Sequence, residues 1–271
     1  MCMLMDEAID QWKYLVEREE NVAYKIQPLP SSGQRGDNMN AVHCCPSVWR
    51  EKICEWCYQV VDHCNIDRDV VSIALSYFDR YLSLCHTSIA DTVFQLVAMT
   101  SLYLAVKCHS TRKISVSSIA SLSKGCFRVD QILKMEISII SSLQWHLNPP
   151  TPSMYLDVAS PLMDASFNDP QASVEISELS RYLLELSVCD GYFIGMKPSS
   201  LAYAAILVAM ENLSIPMKYK KSFVSYQLDK SSSKTAICAQ RLRHVYSLAT
   251  DQSEEDVRAG ASPTSVFQNV A

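Results

Sequence analysis

The 271-residue chain is 48% hydrophobic, enough to bury a sizeable core across two helical units of ordinary domain size. Its formal net charge of −5 argues against a nucleic-acid surface as its main business. Six glycines leave few hairpin turns while long runs carry helical periodicity, so the expected class is all-α. Eleven cysteines are an odd total in a long chain, and no basic segment precedes an apolar one near the N-terminus. The longest apolar stretches, near 93–106 and 201–210, are too short and too interrupted to span a bilayer. The expectation is a soluble intracellular protein with reduced thiols.

The first predicted element covers 6–20, where Ile9, Trp12, Leu15 and Val16 share one face and Asp6 and Glu7 suit the helix dipole. It reads as a helix capping the main domain. Pro28, Pro30, Gly33 and Gly36 then break regular structure. A helix is expected to open at Pro46. It carries two adjacent stripes, Trp49, Ile53, Trp56, Val60 and Arg50, Cys54, Cys57, Val61. Two stripes exceed one core contact, so one is a candidate docking groove, although periodicity alone favours core packing. Cys54 and Cys57, with His43, Cys44, Cys45, His63 and Cys64 nearby, resemble a zinc site only superficially. They lie mid-helix on an apolar stripe, and no second spaced pair follows, so no metal is expected.

Residues 70–84 place Val71, Leu75, Phe78 and Leu82 on one face, with Asp79 beside it. Asp79 stands 29 residues after Arg50, a spacing at which neighbouring helices can pair a buried base with an acid. A solvated surface acid is the commoner case. The run 92–107 is hydrophobic all round, as befits the central helix of a bundle, and closes on Lys107. A shorter helix lies within 113–126, ended by Gly125, and another spans 129–145 with Ile132, Glu136, Ile139 and Leu143 on one stripe. Pro149, Pro150 and Pro152 stop it and mark a domain boundary. Lys107 and Glu136 are a lone cation and a lone anion on otherwise buried faces, again 29 residues apart, and unpaired buried charge is costly.

The second half echoes the first. Arg181-Tyr182-Leu183 follows Arg80-Tyr81-Leu82, and the Ala202–Ala209 run follows the Ala98–Ala105 run, at an offset of about a hundred residues. Glu211 replaces Lys107, and Glu136 has no clear counterpart. A last helix is expected over 235–248, with 251–271 a polar, disordered tail in which Ser262-Pro263 is a candidate phosphosite.

Taken together, these residues resemble the cyclins, most strongly over 46–152, the cyclin box. That family's box is marked by five positions. Here they are Arg50, Asp79 in Phe78-Asp79-Arg80-Tyr81-Leu82, Leu96 after Gln95, Lys107 in Ala105-Val106-Lys107, and Glu136 in Lys134-Met135-Glu136. The resemblance implies two stacked five-helix bundles plus a short N-terminal helix, divided as 1–40 helix and linker, 41–149 cyclin box, 150–249 second cyclin fold and 250–271 tail. It implies a structural clasp of Arg50, Asp79 and Leu96, and a kinase-binding pair, Lys107 and Glu136, facing a cyclin-dependent kinase near its regulatory αC helix. The stray charges would then be satisfied by an external partner.

It also implies a docking groove for substrates or inhibitors at Trp49, Ile53, Trp56 and Gln95. Trp49 and Lys52 depart from the family's first-helix pattern there, and Lys52 would repel an arginine of an incoming motif. The resemblance implies no catalysis and no cofactor, metal, nucleic acid or membrane partner, in the nucleus and/or cytoplasm. Two readings on the same helical basis stay open: a cyclin-fold transcription factor, disfavoured by the charge and the absent zinc ribbon, and a helical scaffold without a kinase. No Gly-rich phosphate loop, nucleophile–base pair or metal-binding helix motif favours an enzyme.

Overall fold

A computed structural model describes residues 2–26, 47–85, 91–167, 169–226, 228 and 232–259. Pro28, Pro30, Gly33, Gly36, His43, Cys44, Cys45, Pro46 and the Ser262-Pro263 dipeptide lie outside them. Among the described residues the apolar periodicities resolve into eleven α-helices, and there is no strand. They are α1 (Cys2–Glu19), α2 (Ser47–His63), α3 (Asp69–Leu84), α4 (Asp91–His109), α5 (Val116–Leu122), α6 (Val129–Ser142), α7 (Pro152–Phe167), α8 (Pro170–Cys189), α9 (Pro198–Asn212), α10 (Met217–Val224) and α11 (Ser232–Ala259). The all-α expectation holds, as does the division into five helices, five helices and an N-terminal one.

Each unit is built around its all-apolar helix. In the first, Phe94, Val97, Leu102, Leu104, Ala105 and Val106 of α4 are buried against α2, α3 and α6. In the second, Leu201 to Ile206 and Val208 to Met210 of α9 are buried against α7, α8 and α11. A helix apolar on every face is stable in water only when other helices surround it, which fixes the centre of each bundle. No described helix is long and apolar enough to cross a membrane.

Helix α1 caps the second unit. Ala8, Trp12 and Leu15 join the core of α7 and α9. The Trp12 indole meets Tyr155 edge-on at 4.9 Å, and its Nε1 donates to the Leu228 carbonyl at 3.0 Å. The buried Glu19 carboxylate accepts from the Tyr155 hydroxyl and from the Ser199 backbone N–H, both at 3.0 Å, and from Ser199 Oγ at 2.6 Å. It thereby caps the first turn of α9, where backbone N–H groups lack partners and the helix dipole favours an anion.

Several expected boundaries move. Helix α6 ends at Ser142, not 145, because Gln144 and Trp145 take left-handed φ values of 50° and 63° that reverse the chain. The prolines therefore do not stop it, and Pro152 opens α7 instead, where its missing N–H costs nothing. Ser115 caps α5 by accepting from the Ser118 N–H, and α5 ends at Leu122, ahead of Gly125 (φ 85°). The last helix is longer than expected at both ends and covers the start of the expected disordered tail. No Gly or Pro interrupts it before Gly260, so nothing in the backbone ends it sooner.

Candidate functional site

Both stripes of helix α2 contribute to the core: Arg50, Cys54, Cys57 and Val61 are all buried, and in the other stripe Ile53 and Val60 are buried while Trp49 and Trp56 are half-buried. A guanidinium in that setting needs full pairing. Arg50 Nε and Nη2 donate to the Asp79 carboxylate of α3 at 3.0 and 2.9 Å, the planar bidentate geometry that suits arginine. Burial works against the charged Arg50, but the charge and hydrogen bonds of Asp79 outweigh it and hold its pKa above the ordinary arginine value.

The remaining nitrogen reaches into the second unit. Arg50 Nη1 donates to the Val188 carbonyl at 2.6 Å and the Cys189 carbonyl at 3.5 Å, at the C-terminal end of α8. The last carbonyls of a helix have no partner within it and carry the negative end of its dipole. The clasp thus joins α2 to α3 and also ties the two units together. Leu96 takes no part in it. It packs instead with Met99, Tyr103, Ile119, Phe127 and Ile132 between α4, α5 and α6.

The second charged pair lies elsewhere on the first unit. Lys107, at the end of α4, donates to Glu136 Oε1 of α6 at 2.8 Å. The two stray charges therefore satisfy one another, and their cost needs no outside partner. Their burial is unequal: the Glu136 side chain is 7% exposed and the Lys107 side chain 53%. The hydrogen bond to Glu136 raises the Lys107 pKa, with burial acting against it. Its ammonium also lies 5.7 Å from the Tyr103 ring centroid.

Helix α6 starts where the Gln131 side chain accepts the Arg128 backbone N–H at 2.9 Å. Its buried stripe is Ile132, Glu136, Ile139 and, just past its end, Leu143. One position round the helix, Leu133 and Ile137 are 40% and 66% exposed. They are spaced four apart and so share a face next to Glu136. Sequence reading passed over them because a complete stripe already accounted for the helix. A second apolar pair outside that stripe was the available signal.

The segment after α6 is held in turn. The Tyr77 hydroxyl donates to the Leu147 carbonyl, His109 Nε2 lies 2.8 Å from the same oxygen, and Arg80 Nη1 donates to the His146 carbonyl at 3.0 Å. The conspicuous Arg80 of the Phe78–Leu82 segment serves to fix the chain between the units.

Of the groove residues, Ile53 is part of the core, at 7% exposure. Trp56 is half-buried against the cluster that contains Met99, Tyr103 and Ile119, while Gln95 and Lys52 are exposed. Ile53 is closed off, so what reaches the surface is Trp49, Trp56 and Gln95. Cys54 and Cys57 are fully sealed, and among the described residues no three His, Cys, Asp or Glu side chains are placed to hold a metal ion.

The family model for the cyclin N-terminal domain matches residues 10–148, and the model for the cyclin C-terminal domain matches 150–271. Among named relatives, the chain is 29% identical over 156 residues to G2/mitotic-specific cyclin-4 of Candida albicans, covering 58% of this chain and 30% of that protein. It is 24% identical over 250 residues to cyclin-A3-3 of Arabidopsis thaliana, covering 92% and 73%. It is also 24% identical over 181 residues to G1/S-specific cyclin-D1 of Homo sapiens, covering 67% and 59%. Several of the curated relatives are matched over only 30–63% of their own length. Two solved structures share the fold. A viral cyclin from herpesvirus saimiri has a TM-score of 0.58 at 17% identity, covering 74% of this chain and 86% of that one. A chain of the CAK complex of Chaetomium thermophilum bound to ATP-gamma-S has a TM-score of 0.57 at 18% identity, covering 73% and 63%.

Proposed function

The chain belongs to the cyclin family, and from that premise we propose that it is a non-catalytic regulatory subunit that binds and activates a cyclin-dependent Ser/Thr protein kinase in cell-cycle control, in the nucleus and/or cytoplasm. The observation that carries this reading is the half-open ion pair. Glu136 is sealed, its partner Lys107 stands at the surface, and Leu133 and Ile137 present apolar side chains beside them. A protein–protein contact centre combines these features: apolar anchors around a charge that is already positioned. The Lys107–Glu136 pair then faces main-chain groups near the kinase αC helix, with the exposed lysine making the contact and the buried glutamate holding its ammonium in place. Their mutual contact in the free chain holds both groups near the geometry they need, which lowers the ordering cost of binding.

Such a subunit performs no chemistry. A protein kinase needs its β3 lysine paired with the αC glutamate before phosphoryl transfer is efficient. A rigid helical face that binds only the αC-in arrangement shifts the kinase population toward it. Docking of substrates or inhibitors at Trp49, Trp56 and Gln95 belongs to the same reading, with the exposed Lys52 selecting against strongly basic motifs.

The test is co-purification from cell extract of wild type beside Lys107→Ala/Glu136→Ala, with protein-kinase activity assayed in each eluate. An active kinase should arrive with the wild type and be lost with the folded double variant. A folded wild type that brings down no kinase activity would leave the scaffold and transcription-factor readings in its place.

A further inference from the structure

One turn beyond Arg50 on the same face of α2, Cys54 Sγ lies 2.9 Å from Cys189 Sγ, the last residue of α8. The separation is within about 1 Å of a covalent S–S bond, and no other atom stands between the sulfurs. The two residues are 135 positions apart and belong to different five-helix units. Around them the chain is already tied. Arg50 holds the Val188 and Cys189 carbonyls, and Asp190, the residue just after α8, accepts from Arg241 Nε at 2.7 Å. Both cysteines are free thiols, Cys54 fully buried and Cys189 half-buried.

We propose that Cys54 and Cys189 form an oxidisable dithiol, a modification site at which peroxide creates a disulfide bond that locks the two units together. The half-buried Cys189 is the thiol a peroxide reaches first. Its hydrogen bond to Cys189, followed by burial, pushes the Cys54 thiol far above the ordinary range, so Cys54 is the poorer initial nucleophile. Cys189 loses its proton to solvent, and its sulfur attacks one peroxide oxygen. The O–O bond breaks, hydroxide leaves and is protonated to water, and Cys189 becomes a sulfenic acid. The Cys54 sulfur then attacks the Cys189 sulfur. The S–S bond forms, the S–O bond breaks, and the departing hydroxide takes the Cys54 proton as a second water. In total two thiols lose two electrons to one peroxide, giving one disulfide and two waters. Cys189 sits at a helix end followed by a turn, so the backbone there can close the remaining gap with little disturbance of α2.

The experiment treats the reduced, full-length protein with hydrogen peroxide, blocks remaining thiols with iodoacetamide and maps tryptic peptides without reduction. Circular dichroism before and after oxidation shows that the fold is retained. The expected result is a linked pair of peptides joining Cys54 to Cys189, with fragment ions separating Cys54 from Cys57 and Cys64, and reversal by dithiothreitol. A cross-link closing so long a loop should raise the melting midpoint by about 5 °C or more. Cys189→Ser should remove both the linked peptide and the shift while leaving the reduced protein's melting point near that of wild type. Absence of the linked peptide at excess peroxide, a link from Cys189 to another cysteine, or Cys189 recovered only as a higher oxide would overturn the assignment.

Discussion

Two ion pairs in the first unit share a spacing of 29 residues and differ in how they meet solvent. Arg50 and Asp79 are 8% and 10% exposed, closed at both ends, and the arginine spends its remaining nitrogen on the second unit. Lys107 and Glu136 are 53% and 7% exposed, closed at one end only. A pair sealed on both sides can act only on the fold, because no partner reaches it without unfolding the region. A pair with one open end keeps a buried group in place while leaving a polar contact available. The choice of cation follows: arginine's flat fork suits the sealed site, and lysine's flexible stem suits the open one.

The comparison breaks most visibly at Arg50. Arg50→Ala leaves a buried carboxylate unpaired and uncovers the end of α8, at a cost of about 3–5 kcal/mol of folding stability. Urea unfolding checks it, and a midpoint matching wild type would show that the clasp is not structural. The double variant at Lys107 and Glu136 should act mainly on association, at about 2–4 kcal/mol of kinase binding, with a smaller loss of stability. Ile137→Ser sharpens the contrast further. At 66% exposure it should change stability by no more than about 0.5 kcal/mol. It should still weaken binding by about 1 kcal/mol, measurable by titration calorimetry with the captured kinase.

The smallest effect separates the pairs by pH. The folded Lys107 pKa is raised above its ordinary value of 10.5. Its contribution is therefore fully present below 10.5 and fades as pH rises through the folded value. With the lysine half in solvent this amounts to about 0.3–0.5 kcal/mol. Arg50 stays charged throughout that window. Wild type should lose its stability advantage over Glu136→Gln above pH 10.5, and an advantage unchanged at higher pH would show that the Lys107–Glu136 pair adds no stability.

Much of this was legible in residue order. The all-apolar runs of α4 and α9, the stripe of α6 and the isolated charges at Arg50, Asp79, Lys107 and Glu136 are visible because helical periodicity is a local property. The two stripes of α2 illustrate the limit. Both were visible, but only packing against α3 and α8 buried Arg50, Cys54, Cys57 and Val61 together with Ile53 and Val60 and left Trp49 and Trp56 half-covered. The same limit applied to Leu96, whose neighbours lie on α5 and α6 rather than at the clasp.

By itself the sequence determined the helical class, the two apolar centres and the isolated charges at Arg50, Asp79, Lys107 and Glu136. Only the tertiary structure decided that Lys107 and Glu136 meet each other, that Arg50 reaches the last carbonyls of α8, that Cys54 faces Cys189, and that α1 lies on the second unit. Periodicity reports which face of a helix avoids water. Which other helix covers that face, and how much of each charge stays wet, depends on contacts between residues far apart in the chain, and those exist only once the helices pack.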